Sequence, residues 1–403
     1  TCASQYLDDL IDAIMHEQTM FTLPSYLLAI GRAKNDRAKR FLDSYQLRSD
    51  LEKHREEEKA ALDKALAGFI IRKKARVRVL PNDIVVLASP NLNVTYSQCK
   101  DAGLSPKKFG KYIAVSGLTN FYDIYQLRAY TDAYIYFGCA PVAQLPEFLA
   151  QRERAIMQRT GVTGYRLEVR SVSHEVRLDL IKKCVAAMNE LINTPSSYSI
   201  EILIEMDGDM AQVFLNPLTD DRFSYRKKAI SASVNPGVAA SVCAYASEFF
   251  DPDARVLDNF CGSGTMLYER GFYPHHSLTG ADINMTAVEA AKENSRYAHV
   301  HPQFHYIDCL KFTAKRYDEI IVNMPFGLRV GSHSRNERLY RSYFTILPEI
   351  LTDEGLAVLY THEKNLTENL IKSNGRFNVL KRATFDAGGL YPAVYVIRKK
   401  KTK

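Results

Sequence analysis

The stretch of sequence that decides the fold covers residues 255–266 and reads Arg-Val-Leu-Asp-Asn-Phe-Cys-Gly-Ser-Gly-Thr-Met. A short apolar strand runs into a Gly-Ser-Gly turn and then a helix, so backbone amides at the helix start face a ligand that glycine allows to approach. No Lys followed by Ser or Thr comes after the glycines, and an acid, Asp258, precedes the turn. Because an acid repels a pyrophosphate but binds an ammonium group or a water, the turn favours a ligand with an amino-acid end.

The next two strands also end in acids. Asp282 ends the segment from Leu278 and follows Gly264 by 18 residues, the spacing at which Rossmann-type folds hold ribose hydroxyls. The alternative is that Asp282 caps the helix starting at Met285. Asp308 follows a strand over 304–307, where it is expected to accept a hydrogen bond from an adenine amino group or, alternatively, to cap the following turn.

A fourth strand, over 319–322, runs into Asn323-Met324-Pro325-Phe326-Gly327. An amide, a backbone kinked by proline and an aromatic ring at such a strand end suit methyl transfer to an exocyclic amine of a base. Carbonyl acceptors that hold the two N–H groups pull the nitrogen lone pair out of the ring system, and the aromatic face stacks the flipped base. The side-chain oxygen of Asn323 and the main-chain carbonyl of Met324 are the expected acceptors, and Phe326 is the expected stacking face; the alternative is an ordinary turn after a strand.

With these motifs, residues 232–403 resemble the class I S-adenosylmethionine-dependent methyltransferases that carry an N/D-P-P-Y/F motif. Within that group they are most similar to the THUMP-containing guanine-N2 methyltransferases of tRNA and rRNA. Residues 224–227, the helix start at Asn235-Pro236 and the segment 386–396 fit the same group. Two positions depart from it, since Met324 replaces the commoner first proline of the motif and Asn259 replaces the proline after Asp258.

The resemblance implies S-adenosylmethionine as the cofactor and assigns roles to particular residues. Those implied to act on the acceptor amine are Asn323, Met324, Pro325 and Phe326. Those implied to bind the cofactor are Asn235, Pro236, Asp258, Phe260, Cys261, Gly262, Ser263, Gly264, Thr265, Asp282, Ile283, Asp308, Cys309 and Asn323. No metal is expected.

The fold class predicted for the chain is α/β. Strands alternate with helices after residue 234, which predicts a C-terminal Rossmann-like methyltransferase domain with a mostly parallel seven-stranded sheet over 231–403. Before it we predict a helical basic region over 1–80, a ferredoxin-like domain over 81–150 and a THUMP-like domain over 151–230. In the two middle regions the pattern predicts strands over 84–88, 112–116, 165–169, 199–205 and 211–216, and helices over 94–102, 122–136 and 175–191.

Composition narrows the function classes further. The chain has 403 residues, no apolar run of membrane-spanning length and no signal-like start from Thr1, so we expect neither a membrane protein nor a secreted one. Its seven cysteines form no CxxC pair, which suits a reducing compartment and predicts a cytoplasmic protein. The net charge of +7 permits a polyanionic partner. The candidate RNA phosphate contacts are Arg72, Lys73, Lys74, Arg76 and Arg78, although a solvated helical face is the alternative for the charged N-terminal region.

Three other interpretations have less support. Carbon methylation through Cys261 or Cys309 needs an activating partner for the thiolate, and the sequence around residues 307–309 supplies none. His299, His301 and His305 lack a Cys or Glu companion that would complete a metal site. The tyrosines at 122, 125, 130, 134 and 136 predict a helix packing face rather than a base-stacking platform.

The function predicted is methyl transfer to the N2 amine of guanine in structured RNA, with tRNA favoured over rRNA. Two alternatives stay open. One is methylation of adenine N6 or another amine on DNA or RNA, because the acceptor motif does not distinguish the two bases. The other is a non-catalytic RNA-binding or partner-binding protein with a vestigial methyltransferase domain.

Overall fold

The structure is a computed structural model that describes residues 6–33, 35–67, 77–195, 198–230, 233–312, 316–326 and 333–401. Two compact units divide the chain: residues 1–78 with 136–219, and residues 79–135 with 220–403. The ferredoxin-like and THUMP-like assignments of residues 81–150 and 151–230 stay predictions. No helix among the described residues is long and apolar enough to cross a membrane.

The helices are α1 Leu7–His16, α2 Leu23–Gly31, α3 Asp36–Ser44, α4 Glu52–Ala67, α5 Leu92–Asp101, α6 Leu145–Ala150, α7 Glu153–Thr160, α8 His174–Ala187, α9 Pro236–Ala246, α10 Thr265–Arg270, α11 Met285–Ser295, α12 His333–Ile350 and α13 Lys364–Asn374. The strands are β1 Ile84–Ala88, β2 Pro106–Phe109, β3 Tyr112–Ser116, β4 Asp132–Pro141, β5 Gly164–Arg170, β6 Ile192–Asn193, β7 Ile200–Asp207, β8 Met210–Asn216, β9 Arg255–Asp258, β10 Ser277–Asp282, β11 Gln303–Tyr306, β12 Tyr317–Asn323, β13 Leu351–Thr361, β14 Phe377–Thr384 and β15 Ala393–Lys399.

The first unit contains the N-terminal helices and strands β5 to β8. Helices α1 to α4 share one apolar core, as the helical pattern predicts. The helical conformation of the charged N-terminal region is interrupted between α3 and α4. There the buried carboxylate of Glu58 accepts the backbone N–H groups of Arg48 and Ser49. In the sheet of this unit, β5 pairs in parallel with β6 and β7, and β7 forms a hairpin with β8 across a turn at Gly208-Asp209.

The second unit begins with a small antiparallel sheet in which β3 pairs with both β1 and β2. The prediction of a helix over 122–136 is wrong. A short 3-10 turn covers Phe121–Gln126, and β4 follows it. Tyr134 and Tyr136 lie in β4, where the pleated surface of a sheet accommodates aromatic side chains well, whereas Tyr122 and Tyr125 lie in the 3-10 turn. Tyr134 is buried and packs edge-on against Tyr112 with ring centroids 6.4 Å apart.

The seven-stranded sheet of the second unit has the order β11-β10-β9-β12-β13-β15-β14. Strands β9 to β13 are mutually parallel, whereas β15 runs antiparallel to both β13 and β14. This mixed sheet confirms the predicted class of a mostly parallel α/β domain. The chain order reverses between β9 and β12, which is the switch point where open α/β sheets bind ligands.

Alternation along the strands gives this sheet two buried faces. In β9, Val256 packs into a core with residues of α9, α10 and α11, while the next residue, Leu257, packs into a core with residues of α12 and α13. Ile320 and Ile321 of β12 divide between the two cores in the same way. Helices therefore cover both faces, and the strand ends are the open edges of the domain.

Candidate active site at the carboxyl edge of the seven-stranded sheet

The predicted site residues are brought to one edge of the sheet. Asp258, Asp282 and Asn323 are the last residues of β9, β10 and β12, and Asp308 lies two residues beyond the end of β11. Because these four strands are parallel neighbours, their carboxyl ends meet at the same edge. The acids and the amide predicted to act together therefore share one surface.

The Gly-Ser-Gly turn after β9 needs its glycines. Gly262 and Gly264 both have positive φ, at 52° and 84°, a region that side chains other than glycine rarely adopt. A Cβ on Gly264 would lie 2.7 Å from the ring of Tyr268. The turn is pinned to the next strand by the Cys261 N–H, which donates to the Ala281 carbonyl at 3.0 Å. This backbone path starts α10 at Thr265.

Asp258 is a fully buried acid below this turn. It is 1% exposed, and its Oδ1 accepts the backbone N–H of Phe260 at 3.0 Å. Burial raises the pKa of its carboxyl well above the ordinary range, and the nearby Asp282 carboxylate raises it further. A cation placed here would favour the ionised form, so the site is suited to the ammonium end of a ligand.

Asp282 is held by backbone donors on both sides. Its Oδ2 accepts the Gly262 N–H at 2.9 Å, and its Oδ1 accepts the Asn284 N–H at 2.8 Å. The alternative role as cap of the following helix is wrong, because Asn284 caps α11 through the Thr286 N–H. Each carboxylate oxygen keeps a further lone pair, and the next side chain, Ile283, is 66% exposed. The carboxylate is therefore fixed in orientation and still able to accept ligand hydroxyls.

Asp308 caps the short turn that follows β11. Its Oδ1 accepts the Leu310 N–H at 2.9 Å, so the capping alternative is confirmed, while the cofactor role of this residue stays a prediction. Burial, with a further contribution from the Asp308 carboxyl, raises the pKa of the Cys309 thiol to about 12. Burial likewise holds the pKa of Cys261 well above its usual range. Neither thiol is prepared to act as a nucleophile for carbon methylation.

The segment that leads into α9 at Asn235-Pro236 contacts the glycine turn through a pair of serine hydroxyls. Asn235 caps α9, since its Oδ1 accepts the Gly237 N–H at 2.8 Å. The Ser233 and Ser263 hydroxyls lie 2.7 Å apart and join the segment before this helix to the turn. A Cβ at Gly237 would lie 2.2 Å from the Tyr130 carbonyl oxygen, so α9 packs directly against the backbone of that residue.

The end of β12 presents the acceptor motif. The Oδ1 atom of Asn323 is buried and has no hydrogen-bond partner among the described residues. The Met324 N–H donates to the Tyr360 carbonyl at 2.9 Å, which fixes the peptide between Asn323 and Met324. The Phe326 ring is partly exposed and packs edge-on against Tyr360, with ring centroids 5.7 Å apart. Gly327 lies outside the described residues.

Helix α12 supplies contacts that the sequence did not predict. Asn336 Nδ2 and the Tyr340 hydroxyl both donate to the Pro325 carbonyl, each at 2.9 Å. From the same helix, the Tyr343 hydroxyl donates to Asn259 Oδ1 at 2.8 Å. One helix thus fixes the acceptor motif and the residue after Asp258. Nothing in an ordinary amphipathic helix marks these three side chains before the fold is known.

The remaining candidate residues are placed elsewhere or lie outside the description. Arg72, Lys73, Lys74 and Arg76 fall outside the described residues, and the backbone N–H of Arg78 donates to the Arg159 carbonyl. The imidazole of His299 stacks on Phe272, and His301 bonds the Ser295 carbonyl. In the described part of the chain, no group of three His, Cys, Asp or Glu side chains is placed to hold a metal ion.

These residues fit the cofactor that the sequence implies. Buried or oriented carboxylates at the ends of β9 and β10 suit an ammonium group and ribose hydroxyls, and no described residue donates to the buried Oδ1 of Asn323. Asp258 and Asp282 would hold the cofactor, with Asp308 beside them. The glycine turn supplies the close backbone approach.

Comparison with known proteins agrees with this geometry. Residues 224–392 match the family described as RMKL-like, methyltransferase domain. A tRNA (guanine(6)-N2)-methyltransferase of Methanocaldococcus jannaschii is 26% identical over 241 residues, which are 49% of this chain and 60% of that enzyme. The chain thus spans about three fifths of the length of this curated relative.

Solved structures share the fold. TrmN from Thermus thermophilus superposes with a TM-score of 0.61 at 18% identity, covering 79% of this chain and all of the other. A methyltransferase complexed with SAH gives a TM-score of 0.59 at 17% identity, covering 81% of this chain and all of the other. These superpositions confirm the predicted Rossmann-like methyltransferase fold.

Proposed function

We propose that this protein transfers a methyl group from S-adenosylmethionine to the exocyclic N2 amine of a guanine in tRNA. The observation that carries the proposal is the buried Oδ1 of Asn323, which has no donor among the described residues. It stands beside the strand ends that carry Asp258 and Asp282. The guanine-N2 activity of the relative from Methanocaldococcus jannaschii supports the choice of base and of tRNA.

The cofactor, when bound, supplies an electrophilic methyl group. In the proposed arrangement Asp282 accepts the ribose hydroxyls, Asp258 faces the ammonium end and Asp308 faces the adenine amino group. Because the Gly262 and Asn284 amides already orient the Asp282 carboxylate, this side of the site needs little rearrangement on binding.

The acceptor side acts on the amine of the target base. Asn323 Oδ1 accepts one N–H, the main-chain carbonyl of Met324 accepts the other, and Phe326 stacks the flipped base. Both acceptors would hold the N–H groups out of the plane of the base, so that the lone pair is localised on the nitrogen and becomes a better nucleophile toward the methyl group that the cofactor would supply. The Asn336 and Tyr340 bonds to the Pro325 carbonyl hold the motif in place while the base enters.

RNA is the proposed partner. The basic cluster Arg72, Lys73, Lys74, Arg76 and Arg78 stays a proposed set of phosphate contacts, because a run of like charge is relieved by a polyanion. A cytoplasmic location is proposed from the dispersed cysteines alone.

Nucleoside analysis of RNA from cells with and without the gene tests the proposal. We expect N2-methylguanosine at one tRNA position to disappear when the gene is deleted and to return with the wild-type gene. Loss of N2-methylguanosine from rRNA alone would move the substrate to rRNA. Loss of N6-methyladenosine instead would contradict the choice of base.

A further inference from the structure

A groove of about 470 Å³ lies at the amino ends of β9 to β12, the edge of the sheet opposite the candidate active site. Its lining includes the first residues of these four strands, namely Arg255, Ser277, Gln303 and Tyr317. At about 3.3 Å per residue these four strands are roughly 13–23 Å long, so the groove is separate from the glycine turn and from Asn323. Its volume falls in the range of small-ligand sites.

The groove is lined by hydrogen-bond donors and cationic side chains. Arg255, Arg316, His275, His276, His301 and Gln303 contribute to its lining. None of the described residues that line it carries a carboxylate. Such a surface attracts an anion and gives a cationic ligand nothing to pair with.

Two carboxylates contact side chains that line the groove. Asp318 binds the Arg255 guanidinium through two hydrogen bonds, at 2.8 and 3.1 Å, and Asp253 Oδ1 lies 3.3 Å from His276 Nδ1. These contacts orient the Arg255 guanidinium and the His276 imidazole. Arg316 is exposed at the start of β12 and adds a guanidinium to the same groove, a group whose planar fork matches the oxygens of a phosphate.

We propose that this groove is a phosphate-binding site, filled either by a phosphodiester of an RNA chain or by a small phosphate compound. The site goes beyond the proposed methyl transfer and does not depend on it, because no residue of the groove belongs to the carboxyl edge. Arg316 and the histidines bind the phosphate oxygens, and Arg255 completes the positive wall while paired to Asp318.

Binding of two probes by the full-length protein tests this site. We compare wild type with the double variant Arg316→Gln/His301→Gln and with the control Arg341→Gln, which removes an equally charged, exposed side chain from α12. Calorimetry with inorganic pyrophosphate and fluorescence anisotropy with a labelled single-stranded RNA oligonucleotide report the two sources of phosphate. Calorimetric binding of S-adenosylmethionine checks that each variant is folded.

We expect the double variant to lose at least tenfold in affinity for pyrophosphate, while the control and all cofactor affinities stay unchanged. A parallel loss for the oligonucleotide identifies an RNA phosphodiester as the occupant, and an unchanged oligonucleotide affinity identifies a small phosphate compound. Unchanged affinity for both probes in a variant that binds cofactor normally would overturn the proposal. Absence of methyl transfer by a wild-type protein that binds pyrophosphate as expected would instead count against the proposed function alone.

Discussion

The two halves of the candidate site are built differently. On the cofactor side, the carboxylates that end β9 and β10 accept backbone N–H groups within a few residues of the strand ends or from the neighbouring turn. On the acceptor side, Asn323 Oδ1 is buried with no donor among the described residues, and the following backbone is held by Tyr360, Asn336 and Tyr340. Backbone donors orient the cofactor side, whereas on the acceptor side the described residues leave Asn323 Oδ1 open to an N–H from a ligand.

That difference has an energetic meaning. A buried acceptor without a donor costs about 1–3 kcal/mol, and the cost is recovered when a bound amine donates to it. A residue of this kind contributes most in the transition state, where the nitrogen is held out of the plane of the base. We therefore expect substitutions on the acceptor side to lower turnover and substitutions on the cofactor side to lower cofactor affinity.

The largest effect is expected from Asn323→Ala. Turnover should fall by at least about a hundredfold, or about 2.7 kcal/mol, because the lost contact matters most in the transition state. Cofactor affinity should stay nearly unchanged. Asn323→Asp keeps an acceptor oxygen and should retain more activity than Asn323→Ala, and the exposed Asn369→Ala on α13 serves as the matched control. An equal loss of cofactor binding would show that Asn323 contributes to the cofactor side rather than to the acceptor side.

On the cofactor side, Asp282→Ala should weaken S-adenosylmethionine binding by about 1.5–3 kcal/mol, the range for hydrogen bonds to a charged group. Calorimetry is the measurement, because the chain contains no tryptophan. Asp282→Asn keeps one acceptor oxygen for the turn and controls for loss of the Gly262 contact. Unchanged cofactor affinity in a folded Asp282→Ala protein would remove this residue from the site.

Asp258→Asn should affect stability and binding in opposite directions. Burial raises the pKa of this carboxyl, so its contribution to stability is present below the ordinary Asp pKa of about 3.9 and is lost as the pH rises through the folded value. At pH 7 the cofactor-free variant should therefore be more stable than wild type in urea unfolding. Its cofactor affinity should fall about tenfold, because the ammonium group loses a charged partner. A variant that is less stable at pH 7 would show that contacts within the folded protein already offset the cost of burying this carboxylate.

The smallest effect is expected from Tyr340→Phe. The Pro325 carbonyl loses one of two donors and keeps Asn336, so turnover should fall severalfold, in line with about 0.5–1.5 kcal/mol for one hydrogen bond. The double variant Asn336→Ala/Tyr340→Phe should fall further while cofactor affinity holds. Cofactor binding that weakens in step with turnover would indicate general loss of structure rather than a positioning role.

The sequence predicted the cofactor side well, because that side is local. The order of strand, acid and glycine turn between residues 255 and 266 defines its own geometry, and the structure places Asp258 and Asp282 at the ends of β9 and β10 as expected. The sequence could not predict Asn336, Tyr340 and Tyr343, since the partners of these residues lie 11 to 84 positions away and meet them only when α12 packs on the sheet.

Other errors have the same origin. The tyrosines between 122 and 136 have a spacing that also fits a helix, but strand pairing places Tyr134 and Tyr136 in β4, whereas Tyr122 and Tyr125 lie in a 3-10 turn. Nor does any motif mark the groove at the amino edge, because its residues come from the starts of separate strands and the loops before them. Contacts across the fold, rather than neighbours along the chain, determine both features.

Methyl transfer to guanine N2 is tested most directly by incubating the purified protein with S-adenosylmethionine and an unmodified tRNA transcript. Mass-spectrometric nucleoside analysis then identifies the product. Wild type is compared with Asn323→Ala at matched cofactor occupancy. We predict N2-methylguanosine in the wild-type reaction and a yield of this nucleoside that is at least about a hundredfold lower with the variant. Methylation at adenine N6 in place of guanine, or an Asn323→Ala protein as active as wild type, would contradict this prediction.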